Sequence, residues 1–161
     1  MTTDQDAIAA VVQTFFAAFA TGPDLATRID ALRQVFLPGA VIVRTCGQEP
    51  AAYDVDGFLA PRQALLSGGT MERFREWEVQ GQTHVFGDIA QHLCSYAKEG
   101  VQDGTPFSAR GVKTLQLVRT AEGWRISAAA WDDERPGLAV DRAWTSPGGE
   151  RVSLQSADPT R

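Results

Sequence analysis

From Asp4 to Ala20 the apolar residues Ile8, Val11, Val12, Phe15, Phe16 and Phe19 recur at helical spacing and make one wide face. Thr3 is placed to cap the start of that helix and Gly22-Pro23 to end it. Asp24 opens a second helix, with Leu25, Ile29, Leu32 and Phe36 on one side, and Pro38-Gly39 stops it. Val41, Ile42 and Val43 mark a short strand over Ala40–Thr45. Asp54 to Ser67 reads as a third helix, with Phe58, Leu59, Arg62, Leu65 and Leu66 sharing a side. Proline lacks an amide hydrogen and clashes with the preceding turn, so Pro61 sets the regular part to start at about Ala60.

Beyond Gly68-Gly69 the period changes. Glu72–Phe86, Ile89–Lys98, Phe107–Thr120 and Trp124–Asp133 read as long strands, joined at Gly87-Asp88, Gly100–Thr105 and Ala121-Glu122-Gly123. Short connections of this kind make hairpins, so the expected layout is α+β, with helices on one face of an antiparallel sheet. Gly81 and Gly111 are the expected bend or bulge positions. The domain is expected over residues 1–145, with Val140 and Trp144 able to dock. Residues 146–161, rich in Gly and Pro, are expected to form a flexible tail.

Register follows from the turns. A two-residue turn at Gly87-Asp88 puts Trp77, Val79, Thr83, Val85, Ala90, His92, Cys94 and Tyr96 on one face, mostly apolar with a His and a Tyr embedded, as a pocket wall would be. A bulge near Gly81 would flip the outer half of that register. In the last hairpin, Val112 and Thr114 oppose Asp132 and Ala130, and the row Trp124, Ile126, Ala128, Ala130 and Asp132 is read as inward. The opposite row, Leu115, Leu117, Ala129 and Trp131, then needs cover, and a second copy of the chain is the simplest cover.

Composition narrows the function. The chain has 161 residues and a net charge of −5, which suits one domain and disfavours binding to nucleic-acid phosphates. No apolar run approaches the roughly 20 residues that span a bilayer, so no membrane partner is expected. The start lacks the positive residues of a secretory signal, and Cys46 and Cys94 form no redox or metal pattern, so reduced thiols in the cytoplasm are expected. Two histidines without ligand spacing make no metal site, and no Gly-rich phosphate loop follows a strand, so no cofactor is expected.

The stretch Phe74–Glu78, then Phe86-Gly87-Asp88-Ile89-Ala90, Cys94-Ser95-Tyr96, Arg110-Gly111-Val112, Gln116-Leu117-Val118 and Gly123-Trp124-Arg125-Ile126, ending at Trp131-Asp132-Asp133-Glu134, resembles the nuclear transport factor 2-like superfamily. More narrowly it is similar to the SnoaL-like and ketosteroid-isomerase-like branch, over about Asp6 to Leu138. The resemblance implies a cone-shaped barrel of strongly curved antiparallel sheet, with three helices on its concave side. It also implies a homodimer through the outer sheet face and a pocket for a small apolar molecule at the open end. Members include isomerases, cyclases, dehydratases and non-catalytic binders, so the fold leaves the function open.

His92, Tyr96 and Asp132 are the candidate catalytic residues. A histidine oriented by a carboxylate exchanges protons near neutral pH, and a tyrosine hydroxyl can polarise a carbonyl. Such a set suits isomerisation, dehydration or cyclisation of a polyketide-, steroid- or terpenoid-like substrate. Trp77, Val79, Cys94, Val112, Thr114, Phe15, Phe19 and Arg110 are the expected pocket lining. A solvated strand end, or a salt bridge to Arg110, is an equal role for the acidic run Asp132–Glu134. Arg44, Cys46 and Tyr53 are candidates for the pocket mouth that the sequence does not place. Ligand binding without chemistry, and a dimeric interaction module with a vestigial pocket, are the competing readings.

Overall fold

The structure is a computed structural model and describes residues 2–140, so the expected tail and Trp144 lie outside the described residues. Helix α1 spans Asp4–Ala17 and α2 spans Leu25–Val35. They are followed by β1 (Phe36–Arg44), β2 (Ala51–Tyr53), α3 (Val55–Ser67), β3 (Met71–Phe86), β4 (Ile89–Gln102), β5 (Thr105–Thr120) and β6 (Gly123–Asp133). Thr3 caps α1 as expected: its hydroxyl accepts from the Asp6 N–H at 3.1 Å while the Asp6 carboxylate accepts from the Thr3 N–H at 3.2 Å.

Two helix boundaries differ from the sequence reading. Pro38-Gly39 does not end α2, which stops at Val35; the pair sits inside β1 as an irregularity between Phe36 and Val41, with Gly39 at φ 84°. Pro61 does not delay α3 either. Asp54 caps the helix by accepting from the Gly57 N–H at 2.7 Å, and Phe58 and Leu59, 2% and 0% exposed, dock the first turns firmly enough to outweigh the lost hydrogen bond.

The six strands form one sheet in the order β2-β1-β6-β5-β4-β3. The hairpins β3–β4, β4–β5 and β5–β6 are antiparallel, but β1 runs parallel to β6, so the sheet is mixed rather than wholly antiparallel. Its edges β2 and β3 do not pair, and it is a curled open sheet rather than a closed barrel. The β4–β5 strands run on to a two-residue turn, Asp103-Gly104, where φ values of 50° and 79° match the doubly left-handed turn that suits strand twist.

The helices cover one sheet face. Ile8, Phe15, Ile29 and Leu32 are fully buried against Ile42, Leu115, Leu117 and Ile126, each at most 1% exposed. At the centre, Phe15, Phe19, Phe36 and Phe58 form a chain of edge-on ring contacts with centroids 5.2–6.4 Å apart, which ends at Trp131.

Two of the sheet's bulges set which side chains of β3 and β6 face that interior. Val79 is the extra residue between the pairs Glu78↔Tyr96 and Gln80↔Ser95. It swings outward, 59% exposed, and turns Glu78 and Glu76 inward. Ser127 is the extra residue between Gln116↔Ala128 and Leu117↔Ile126, so Trp124 and Ile126 share the interior with Leu115 and Leu117. The row read as needing a dimer partner is therefore the core row, and Val112, Thr114, Ala128, Ala130 and Asp132 face outward.

Candidate functional site

A cavity of about 440 Å³ lies between α3 and the inward face of the sheet. Its apolar wall comes from Phe19, just past the end of α1, from Phe58 and Leu66 of α3, and from strand residues Phe74, Phe107 and Trp131. Alternation along the strands delivers the polar groups. On β6 the inward residues are Trp131 and Asp133, on β5 Lys113, on β4 Tyr96 and Lys98, and on β3 Glu76. Arg44 stands two residues beyond the buried Ile42 on the inward side of β1, and Arg62 one turn beyond Phe58 on α3.

Two ion pairs organise these groups. Lys113 Nζ donates to Glu76 Oε1 at 2.9 Å, with side chains only 4% and 10% exposed. The same ammonium lies 4.6 Å from the Phe15 ring centre and 4.7 Å from that of Tyr96. A buried lysine is tolerated because it is paired and faced by rings. Lys98 Nζ donates to Asp133 at 3.1 and 3.2 Å, and the Tyr96 hydroxyl donates to Asp133 Oδ1.

Burial alone would raise the Asp133 pKa, but the bonds from Tyr96 and Lys98 and the Cys46 thiol outweigh it and hold the carboxyl below its ordinary value. Burial, then the bond to Asp133, pushes the Tyr96 hydroxyl well above its usual range, so it stays a donor. Burial likewise raises the Cys46 thiol, which stands at φ 50° in the turn after β1. A carboxyl depressed on folding adds stability above the unfolded pKa, near 3.8, and loses it as pH falls through the folded value. Asp133→Asn is therefore expected to lower stability at pH 6–8 by about 1–3 kcal/mol, a gap that closes below about pH 4. Chemical denaturation of both proteins across that range checks it.

No family model matches the sequence, and no curated protein matches it. Solved structures do match. An NTF-2-like protein of unknown function from Silicibacter pomeroyi is 23% identical, with 83% of this chain and 100% of that one covered and a TM-score of 0.57. A provisionally assigned dehydratase of the NTF2-like family from Streptomyces avermitilis is 15% identical over 82% and 96%, with a TM-score of 0.63. A provisionally assigned ketosteroid isomerase from Shewanella frigidimarina is 21% identical over 80% and 96%, with a TM-score of 0.60. The chain has the NTF2-like fold.

Within the NTF2-like cone, the three residues expected to act together are separated. Tyr96 is inward and fully buried, with its hydroxyl on Asp133. Asp132 is paired with Val112 on the outer face and bonds Arg135, because Asp133 takes the inward position. His92 faces a second cavity of about 610 Å³ between α1 and the β3–β4 hairpin. Its Nε2 is 2.6 Å from Glu78 Oε2 and its Nδ1 2.7 Å from Thr83 Oγ1, so both nitrogens are already bonded. Gly81 makes room for this ring; a Cβ there would stand 2.7 Å from His92 Cε1. The bulge expected at Gly81 is at Val79 instead.

Of the expected lining, Phe19 reaches the cone cavity, while Phe15 and Cys94 are fully buried in its core. Val79, Val112, Thr114 and Arg110 face the other side of the sheet, and Trp77 lies by the His92 cavity. Lys98, Lys113, Glu76 and Asp133 also line the cavity, and strand alternation read from the sequence does not point to them. Glu78, His92 and Cys94 bring one metal-capable atom each within 4.8 Å of the others. Burial and the Glu78 charge push the Cys94 thiol to about 12, which disfavours the thiolate a metal would need.

The NTF2-like cavity combines aromatic walls with convergent polar groups, the composition of a small-molecule site, whereas the His92 cavity is bordered by Gln5, Asp6 and Gln13 of α1. Among the described residues no helix is long and apolar enough to cross a membrane.

Proposed function

We propose that the cone cavity binds a small, largely apolar carbonyl compound and that the chain moves a proton on it, as an isomerase or dehydratase does. The observation that carries this reading is the Asp133 carboxylate beside the Lys98 ammonium and the Tyr96 hydroxyl at the wall of an aromatic cavity. In this reading Asp133 takes a proton from the carbon beside the carbonyl, and the Lys98 ammonium stabilises the enolate oxygen. The proton returns at a conjugated carbon in an isomerisation. In a dehydration the enolate expels a β-hydroxyl, which leaves as water with the Asp133 proton.

The solved structures named for a dehydratase and a ketosteroid isomerase support the reaction class, and only through the fold. The test is exchange of the α-hydrogens of 1-tetralone in D2O, followed by proton NMR. The wild type is expected to accelerate exchange, and Asp133→Asn to slow it by about 100-fold or more. Binding of the ketone without exchange would contradict the proposal. One observation favours that second reading, binding without chemistry: both cavity carboxylates, Glu76 and Asp133, already have cationic partners.

The outer sheet face supports a homodimer. It presents half-buried Val112, Thr114, Ala128 and Ala130, with Val41 and Val79 48% and 59% exposed. Sedimentation at roughly twice 17.4 kDa is expected, and a monomer at all concentrations would count against it. Free Cys46 and Cys94 fit the reducing cytoplasm.

A further inference from the structure

The cone cavity carries more positive charge than its own carboxylates balance. Four cations line it, Arg44, Arg62, Lys98 and Lys113, against two carboxylates, Glu76 and Asp133. Lys113 and Lys98 take those two carboxylates. Arg44 and Arg62 have no carboxylate partner among the described residues. Arg44 donates through one terminal nitrogen to the neutral Gln48 Oε1 at 3.1 Å, and its Nε is buried without any partner. Arg62 donates once, to the Phe58 carbonyl at 2.9 Å, and its guanidinium lies 4.0 Å from the Phe58 ring centre and 5.2 Å from that of Trp131.

A guanidinium offers five N–H donors in a rigid fork, so each side chain holds most of its capacity in reserve. Burying such charge unpaired is costly, and the two guanidiniums also repel: burial, and beyond it the Arg44 charge, lower the Arg62 pKa. An anion between them would relieve both costs. The apolar walls would take whatever body the anion carries, and the ring faces that hold Arg62 leave its edge free for a planar acceptor.

We infer that Arg44 and Arg62 form a carboxylate subsite of the cone cavity, and that the ligand is an aromatic or alicyclic acid with its carboxylate on the two guanidiniums and its ring among Phe58, Phe107 and Trp131. This rests on the reading of the cone cavity as the ligand site, and it narrows the ligand from an apolar molecule to an apolar acid. The two guanidiniums are not members of the Asp133–Tyr96–Lys98 cluster, so they anchor the ligand and leave the reacting end to that cluster.

The test is calorimetric titration of the full chain with 2-naphthoate and with methyl 2-naphthoate, which has the same ring system and no charge. The acid is expected to bind at least about tenfold tighter than the ester, with an advantage that shrinks as salt rises. Arg44→Met and Arg62→Gln are each expected to remove most of that advantage, read as the acid-to-ester ratio within each variant. Gln keeps a donor for the Phe58 carbonyl, and the acid-to-ester ratio of the wild type stands as a test even if a variant fails to fold. Equal binding of acid and ester, or a ratio unchanged in folded variants, would overturn the subsite while leaving the cavity a ligand site. Binding of neither would overturn the subsite and the cavity reading together.

Discussion

Gly111→Ala is expected to cost about 3–5 kcal/mol, enough to remove much of the 5–15 kcal/mol that holds an ordinary domain together. Gly111 pairs directly with Tyr96 across β4 and β5, and the phenol lies over the bare glycine backbone. A Cβ there would overlap the Tyr96 hydroxyl, its ring carbon and the Asp132 carbonyl oxygen at once. Overpacking usually costs about 1–3 kcal/mol because neighbours give way. Here neither neighbour can do so cheaply. The carbonyl belongs to the β5–β6 ladder, and the Tyr96 ring is 1% exposed with its hydroxyl committed to Asp133. The substitution must expel the ring, which loses its burial and the donor to Asp133 together. Urea unfolding is the measurement, with Thr114→Ala on the outward side of the same strand as the reference, expected to cost under about 1 kcal/mol. A Gly111→Ala loss as small as the reference would mean that the ring does not lie where the fold puts it.

Glu76→Ala should be nearly as severe, at about 3–5 kcal/mol, because it strands the Lys113 ammonium at 4% exposure. The neighbouring rings of Phe15, Phe16 and Tyr96 soften the charge without replacing a carboxylate. Lys113→Met alone leaves Glu76 unpaired at 10% exposure and should lose stability too. The double variant Glu76→Leu/Lys113→Met removes both charges and keeps the volume, so it should recover to within about 1–2 kcal/mol of the wild type. A double-mutant cycle with Glu76→Leu and Lys113→Met as its single variants reads the coupling directly. Losses that simply add would show that the two groups do not depend on each other in the folded protein.

Both predictions turn on residues that the sequence marks differently. The hairpins were legible because Gly87, Gly104 and Gly123, all at positive φ, sit where two strands must reverse. The helical faces were legible because Phe15, Ile29 and Leu32 recur at helical spacing. The bulges at Val79 and Ser127 were not, since an extra residue in a strand leaves no compositional trace yet flips every side chain beyond it. That is why Glu76 and Asp133 face the cavity where Trp77 and Asp132 were expected. One signal did favour the observed face of β5: Leu115 and Leu117 are larger apolar residues than Val112 and Thr114, and the heavier row belongs to the core. Lys113 hid that signal by placing a charge in the same row, and its partner Glu76 is 37 residues away. The parallel pairing of β1 with β6 was equally hidden, because no local turn connects them.

The measurement that bears most directly on the account is a crystal structure of the protein grown with 1-tetralone. It decides between the cone cavity and the cavity beside His92 as the working site. The expected result is the ketone among Phe58, Phe107 and Trp131, with its oxygen towards Lys98 and its α-carbon towards Asp133. Ketone bound between α1 and the β3–β4 hairpin against His92 and Glu78, with the cone cavity left to solvent, would contradict it.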